Sequence, residues 1–242
     1  MIGISTYAYR QFPLYQALET IEGKVQCAEI FSEGPHDILK DTETPLSFNL
    51  KYAVHAPCTD LNIACIREPI RKASVELVGQ MLDACQRIDA DVMVLHPGYF
   101  TYSIDVEQAL DSLSRSLEEM ESFTQETGVK ICIENMPADW NCFVFQQPDL
   151  DLKAHHLALD IGHAATTGRL NEFLEMPVSH FHVHDNNGLS DEHLPVGSGS
   201  IDFKAIASAL RNNRAMKILE HHSDNDVMLS LESIENEGMV LA

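Results

Sequence analysis

Apolar residues run along this chain in eight short bursts, each rich in Val, Ile, Leu, Ala or Cys. They are IGISTYA (2–8), VQCAEIF (25–31), KYAVHA (51–56), VMVLHP (92–97), VKICIEN (129–135), LALDIG (157–162), HFHVHD (180–185) and MKILE (216–220). Near-continuous apolar runs of this length predict strands buried on both faces. Between them the pattern changes. PLYQALETIEG, REPIRKASVELVGQMLDACQRID, VEQALDSLSRSLEEMESFTQETG, LNEFLEM and DFKAIASALRNN carry apolar residues at helical spacing, as at Leu77, Met81, Leu82 and Cys85. Weaker segments near 35–49 and 146–153 fill two further gaps, and VMLSLESIENEG (227–238) reads as a last helix. Gly128 stands where a C-cap would close the helix over 106–127.

Eight strands, each followed by a crossover, predict an α/β fold of the single (β/α)8 TIM barrel kind, one domain over residues 1–242. A doubly wound open sheet is the rival. It would use fewer strands and a glycine-rich turn after the first, and none is present. The length suits one barrel of roughly 250 residues.

The charge balance narrows the partners. Sixteen basic residues face 37 acidic ones, a net charge of −21. So acidic a chain repels nucleic acid unless a local field reverses it, which makes duplex DNA an unfavourable partner. Six cysteines are scattered without a CxxC pair. They read as reduced thiols and fit a cytoplasmic protein. The N-terminus lacks a basic start followed by an apolar run, and no stretch reaches ~20 apolar residues, so neither a signal peptide nor a membrane span is expected.

The candidate chemistry lies at the strand ends. Strand 3 ends at His55, strand 4 at His96, strand 5 at Glu134, strand 6 at Asp160, strand 7 at His182 and strand 8 at Glu220. His163 follows Asp160 in LDIGH, and the loop after strand 7 adds Asp191 and His193 as DEH. In a barrel the C-terminal strand ends converge on one mouth. Gathering five imidazoles and four carboxylates there without a cation would cost too much, because the carboxylates repel one another. Bound divalent metal ions are therefore expected. Imidazole and carboxylate without thiolate suit Zn best, or Mn, Fe or Co, with one to three ions per chain. In HFHVHD, alternation turns His180, His182 and His184 to the axis and Phe181 and Val183 outward. His182 is the ligand candidate. His180, the deepest, reads equally as a core histidine. His184 and Asp185 are expected to orient ligands. GSGS (197–200) predicts a tight turn able to approach a ligand.

The motifs VHAP, LHPG, IENM, LDIGHA, HVHD, DEHLPVGSGSIDF and ILE, in this order, resemble the xylose isomerase-like TIM-barrel superfamily, which includes sugar phosphate isomerases and epimerases and the endonuclease IV-like enzymes. The resemblance spans nearly the whole chain. The three-zinc ligand pattern of endonuclease IV falls on His55, His96, Glu134, Asp160, His163, His182, Asp191, His193 and Glu220. The one-metal pattern of the epimerases falls on Glu134, Asp160, His182 and Glu220, with His163 matching a substrate-binding histidine. Two departures stand out. The loop APCTDLNIA has Cys58 and Thr59 where endonuclease IV carries a DNA wedge, and HVHDNNGLSDEH lacks the arginine that epimerases place after the strand-7 histidine.

The resemblance implies a metal-dependent isomerase or epimerase of a small sugar, sugar phosphate or related polyol, with Glu134 and Glu220 moving a proton at carbon and His163 assisting. The alternative is metal-assisted phosphoester hydrolysis of the endonuclease IV kind. A non-catalytic sugar-binding role is the third reading. Self-association through the helices, giving a homo-oligomer, is compatible with all three.

Overall fold

The computed structural model describes residues 1–236. Eight parallel strands close into a barrel in chain order, with β8 pairing back to β1. They are β1 (Ile2–Ser5), β2 (Cys27–Phe31), β3 (Lys51–His55), β4 (Ala90–Leu95), β5 (Lys130–Glu134), β6 (His156–Asp160), β7 (Val178–Val183) and β8 (Met216–Leu219). Among the described residues seven α-helices surround them: α1 (Leu14–Glu22), α2 (Glu68–Arg87), α3 (Val106–Thr127), α4 (Ile161–Thr166), α5 (Leu170–Leu174), α6 (Phe203–Asn212) and α7 (Asp224–Asn236). All eight expected strands form, within three residues of their expected limits.

The differences have local causes. The expected first strand stops at Ser5, because Thr6–Tyr9 coil into a 3-10 turn capped by the Ser5 hydroxyl, which accepts from the Tyr7 N–H. The segment near 35–49 forms only two 3-10 turns, each with a proline in its first turn, and no α-helix covers 146–153. The last helix begins three residues earlier than expected; its expected final residues, 237–238, lie outside the described residues. Gly128 does close α3, in the left-handed conformation with φ of 75°.

Two cores hold the barrel. The larger lies between strands and helices and includes Ile4, Ile30, Val54, Leu82, Leu117, Ile133, Phe181 and Leu219. Arg71 on α2 is buried beneath α3, where it donates to Glu68, Ser116 and Glu119. The smaller core fills the barrel itself with Ala53, Val92, Val94, Cys132 and Ala158, against Met216. Gly3 belongs here by necessity: a Cβ at that position would lie 2.7 Å from the Ile218 Cδ1 and 2.9 Å from the Cys27 Cβ. Small residues plug the lower barrel, and the polar strand ends stand above them.

Candidate metal centre

The nine ligand candidates meet at the C-terminal mouth, and most of their side chains are nearly or wholly buried. Glu134, at the end of β5, is the hub. Its Oε2 lies 3.2 Å from His55 Nε2 and 3.1 Å from His96 Nε2. Its Oε1 lies 3.0 Å from His182 Nδ1 and 3.5 Å from His163 Nδ1. His182 Nδ1 also faces Glu220 Oε2 at 3.4 Å and Asp160 Oδ2 at 3.7 Å. On the far side, Asp191 Oδ2 lies 3.0 Å from His193 Nε2 and 3.3 Å from His163 Nε2. The donors thus form three adjoining groups: His55 and His96 with Cys58, beside Glu134; Glu134, Asp160, His182 and Glu220; and His163, His184, Asp191 and His193.

The orientation of the rings decides what they can do. His55 Nδ1 is bonded to the Ala56 carbonyl (2.6 Å), His163 Nδ1 to the Asn135 carbonyl (2.8 Å) and His193 Nδ1 to the Glu220 carbonyl (2.9 Å). A carbonyl only accepts, so in each ring that nitrogen carries the proton. His182 Nε2 lies 3.0 Å from the Glu29 carboxylate, also an acceptor. In the neutral imidazoles the inner nitrogens are therefore lone pairs, and all four face carboxylates. Lone pair against carboxylate is repulsive, so positive charge must lie between them, as bound cations or as imidazolium protons. The donor chemistry and the fixed outer nitrogens fit a divalent metal.

The electrostatics express the same demand. Burial alone would lower the pKa of His182, but Glu29, Glu134 and Glu220 hold it well above the ordinary imidazole value. His96 and His193 are held at about 9 against burial, His96 by Cys58 and Glu134, His193 chiefly by Asp191. Burial would raise Glu134, yet His182, His55 and His96 keep it well below the carboxylate range. Asp160 and Asp191 are lowered in the same way, His163 opposing burial in each.

Other side chains fall into place around this centre. His184 Nε2 lies 3.1 Å from Asp160 Oδ2, and its ring stacks on His193 at 4.2 Å. Gly162 makes room for it, since a Cβ there would lie 2.0 Å from the His184 ring. Asp185 differs from expectation. Its carboxylate turns away from the ligands and accepts N–H bonds from Asn186, Gly197, Gly199 and Ile201. The GSGS turn thus spends its glycine N–H groups on Asp185 and its serine N–H groups on the Pro195 and Asn186 carbonyls, so it is a wrapped anchor rather than a ligand cradle. His180 is a buried histidine paired with Glu29 at 2.7 Å.

Glu29 escaped the sequence reading. It sits mid-strand in β2, wholly buried, and the signal was an acid inside a run that should be apolar on both faces. Cys58 was noticed only as a missing wedge, yet its Sγ lies 3.9 Å from both His55 Nδ1 and His96 Nε2. A cavity of about 290 Å³ opens above the centre, walled by Tyr7, Phe31, Trp140 and His222 and floored by Glu134, His163 and Glu220.

The sequence profile of the xylose isomerase-like TIM barrel matches residues 38–239. The chain belongs to this family. It is 36% identical to the uncharacterized protein MJ1614 of Methanocaldococcus jannaschii, over 97% of this chain and 98% of that one. A crystal structure of a D-tagatose 3-epimerase-like protein superposes with a TM-score of 0.87 at 30% identity, covering 99% of this chain and 97% of the other. The IolI protein, solved with a bound zinc atom, shares the fold at a TM-score of 0.74 and 17% identity, over 97% and 96% of the two chains. Among the described residues no helix is long and apolar enough to cross a membrane.

Proposed function

We propose that the protein is a metal-dependent isomerase or epimerase that moves a proton at carbon in a small sugar or related polyol, phosphorylated or not. One observation carries this reading: Glu134 and Glu220, from strands on opposite parts of the barrel, approach the same His182 nitrogen at 3.0 and 3.4 Å and both border the cavity. Two carboxylates on one small pocket are what proton removal and return require. The cavity is at the small end of the range for small-molecule sites, ~300–1,000 Å³. The 30% identity with a D-tagatose 3-epimerase-like protein over nearly the full chain agrees in kind.

In this reading Glu134, Asp160, His182 and Glu220 hold a divalent metal, Zn or alternatively Mn, Fe or Co. When bound, the metal polarises substrate carbonyl and hydroxyl oxygens. The chain's own residues do the rest. Glu220, which meets fewer imidazoles than Glu134, takes the proton from carbon, and Glu134 holds or returns it. His163, fixed by the Asn135 carbonyl, directs its other nitrogen toward Asp191 beside the substrate space. Tyr7, Phe31 and Trp140 give the sugar's apolar face a dry wall.

A second reading, phosphoester hydrolysis, draws on a different observation. The two oxygens of Glu134 face two separate imidazole sets, with His163, Asp191 and His193 as a third group, a set of donors large enough that it would hold more than one ion. The cavity lining contains neither Lys nor Arg to grip phosphate.

Two assays on the metal-loaded protein separate the readings. Incubation with a panel of ketoses, aldoses and cyclic polyols in deuterated water is expected to place deuterium at a substrate carbon. Glu220→Gln should slow this by roughly 10²–10⁴-fold. Absence of exchange across the panel with Zn, Mn and Co refutes the isomerase reading. Cleavage of a generic phosphodiester or an abasic duplex would establish the second in its place.

A further inference from the structure

We propose that Glu29 is a positioning residue: from the floor of the barrel it fixes which nitrogen of His182 is free to bind metal, and so sets the affinity of the centre. The inference rests on the metal reading above and concerns a residue outside the nine ligand candidates.

Glu29 is the third residue of CAEIF in β2, paired in register with Ser5 on β1 and Ala53 on β3. It is wholly buried, one layer below the ligands. Its Oε2 lies 2.7 Å from His180 Nε2, and its Oε1 lies 3.0 Å from His182 Nε2. His180 and His182 are alternate residues of β7, so both rings point inward, and one carboxylate from across the barrel engages both. A buried carboxylate with no donor would be prohibitively costly. Here it faces two imidazole nitrogens.

The consequence lies at the other nitrogen of His182. Imidazole has two nitrogens and, when neutral, one proton. Placed on Nε2, the proton lies against the Glu29 charge, a contact of 3.0 Å outside hydrogen-bond geometry, and leaves Nδ1 as a lone pair aimed at the space between Glu134, Asp160 and Glu220. Placed on Nδ1, it leaves an Nε2 lone pair 3.0 Å from a carboxylate. Without a cation Nδ1 is itself hydrogen-bonded to Glu134 at 3.0 Å, so the preference for the first arrangement arises once a cation lies among Glu134, Asp160 and Glu220, and it is the one a metal needs. The negative charge behind the ring also increases its basicity. A carboxylate behind a ligating histidine typically contributes 10–100-fold to metal affinity. His55, His163 and His193 take this support from backbone carbonyls, which are neutral, and His96 Nδ1 has no partner; His182, at the junction of the centre, has a charged group behind it.

The test uses the full chain, stripped with a chelator and titrated with Zn²⁺ and with Co²⁺ as a spectroscopic probe. Glu29→Gln preserves shape and removes the charge. The expected result is a 10–100-fold weaker affinity with an altered Co²⁺ absorption spectrum. His180→Gln, which leaves Glu29 in place, should retain nearly wild-type affinity. Wild-type-like affinity and spectrum in Glu29→Gln overturns the inference while leaving the metal reading intact. Equal losses in Glu29→Gln and His180→Gln also overturn it, because they would indicate general core damage. If the wild type itself takes up no metal, the metal reading falls and this inference with it. Should Glu29→Gln fail to fold, ¹⁵N-histidine spectra of the loaded wild type give the answer directly: a proton on His182 Nε2 supports the inference, and a proton on Nδ1 refutes it.

Discussion

Replacing Asp185 by Asn changes one atom of a buried side chain and should cost a large share of the protein's stability. Asp185 Oδ1 accepts from the N–H groups of Asn186 (2.8 Å) and Ile201 (3.1 Å), and Oδ2 from those of Gly197 (3.1 Å) and Gly199 (2.8 Å). Its backbone pairs with Leu194 in both directions at 2.8 Å. The loop from 194 to 201 is therefore wrapped around a single carboxylate. Gly199 approaches so closely that a Cβ would lie 2.4 Å from Oδ1 and 2.3 Å from the Asn186 carbonyl. An amide in place of the carboxylate presents an NH2 to two of the four N–H groups, whichever way it is turned. Two charge-assisted bonds at about 1.5–3 kcal/mol each give a loss of about 3–6 kcal/mol. Against a total of about 5–15 kcal/mol for a domain, this is severe. Calorimetry should record a melting temperature lower by roughly 6 °C or more, and urea denaturation a lower midpoint. The loop also adjoins Asp191 and His193, so metal affinity should fall with stability. A melting temperature within about 2 °C of the wild type would refute the reasoning, since the carboxylate could not then be what holds the loop.

Three further outcomes are expected. Burial pushes His221 down to about 3, while its Nδ1 faces the His193 carbonyl and its Nε2 the Ser230 hydroxyl. The unfolded chain protonates near 6.5, so stability is full above that value and declines as pH falls toward the folded value, by about 2 kcal/mol near pH 5; His221→Gln should flatten this dependence in melts across the range, and an unchanged slope would count against it. His96 and His193 act with the opposite sign in the metal-stripped protein, because their raised values of about 9 make a contribution that is complete below about 6.5 and is lost as pH climbs through 9. The metal-loaded protein should lack that alkaline loss, and identical alkaline melts with and without chelator would contradict the account. Finally, burial would raise the Cys58 thiol, but His96 and His55 bring it down to about 7, so in stripped protein iodoacetamide should label Cys58 faster than Cys85 or Cys132, whose thiols burial pushes up, and metal should protect it; peptide mapping that finds no such preference would disprove this.

The barrel was legible because its strands are covered on both faces and read as apolar runs, and because the runs end in imidazoles and carboxylates. The boundaries shifted where a strand-end residue already serves the next element: Asp160 ends β6 and also caps α4 by accepting the His163 N–H. The ligand candidates could be named from the strand ends alone, since parallel strands bring those ends together. Glu29 could not be placed so easily. Its partner His180 is 151 residues away, and its position mid-strand looks like an interruption of an apolar run. Asp185 was misjudged for the complementary reason. Adjacent to three histidines in sequence, it looked like part of their chemistry, but its bonds run to backbone groups of a loop 12–16 residues ahead. Spacing along a chain reports side-chain direction within an element and says little about which backbone a loop will bring back.

The strand-end motifs make sense as units because each supplies two things at once. Glu134 contributes its carboxylate to the centre, and the carbonyl of the next residue, Asn135, fixes the His163 ring. The Asn135 side chain meanwhile accepts from the Asp160 N–H at 2.8 Å and donates to the Asp160 carbonyl at 3.0 Å, locking the ends of β5 and β6 in register. Glu220 repeats the device: its carboxylate faces His182, and its carbonyl fixes His193. A ligand from one strand is therefore oriented by the backbone of the strand that supplies another ligand. Moving any one strand end would misplace a carboxylate and turn an imidazole together. Such coupling gives the asparagine of IEN a part in the geometry of the centre alongside its glutamate. His182 departs from this arrangement, since a buried carboxylate from β2 lies behind its outer nitrogen in place of a backbone carbonyl.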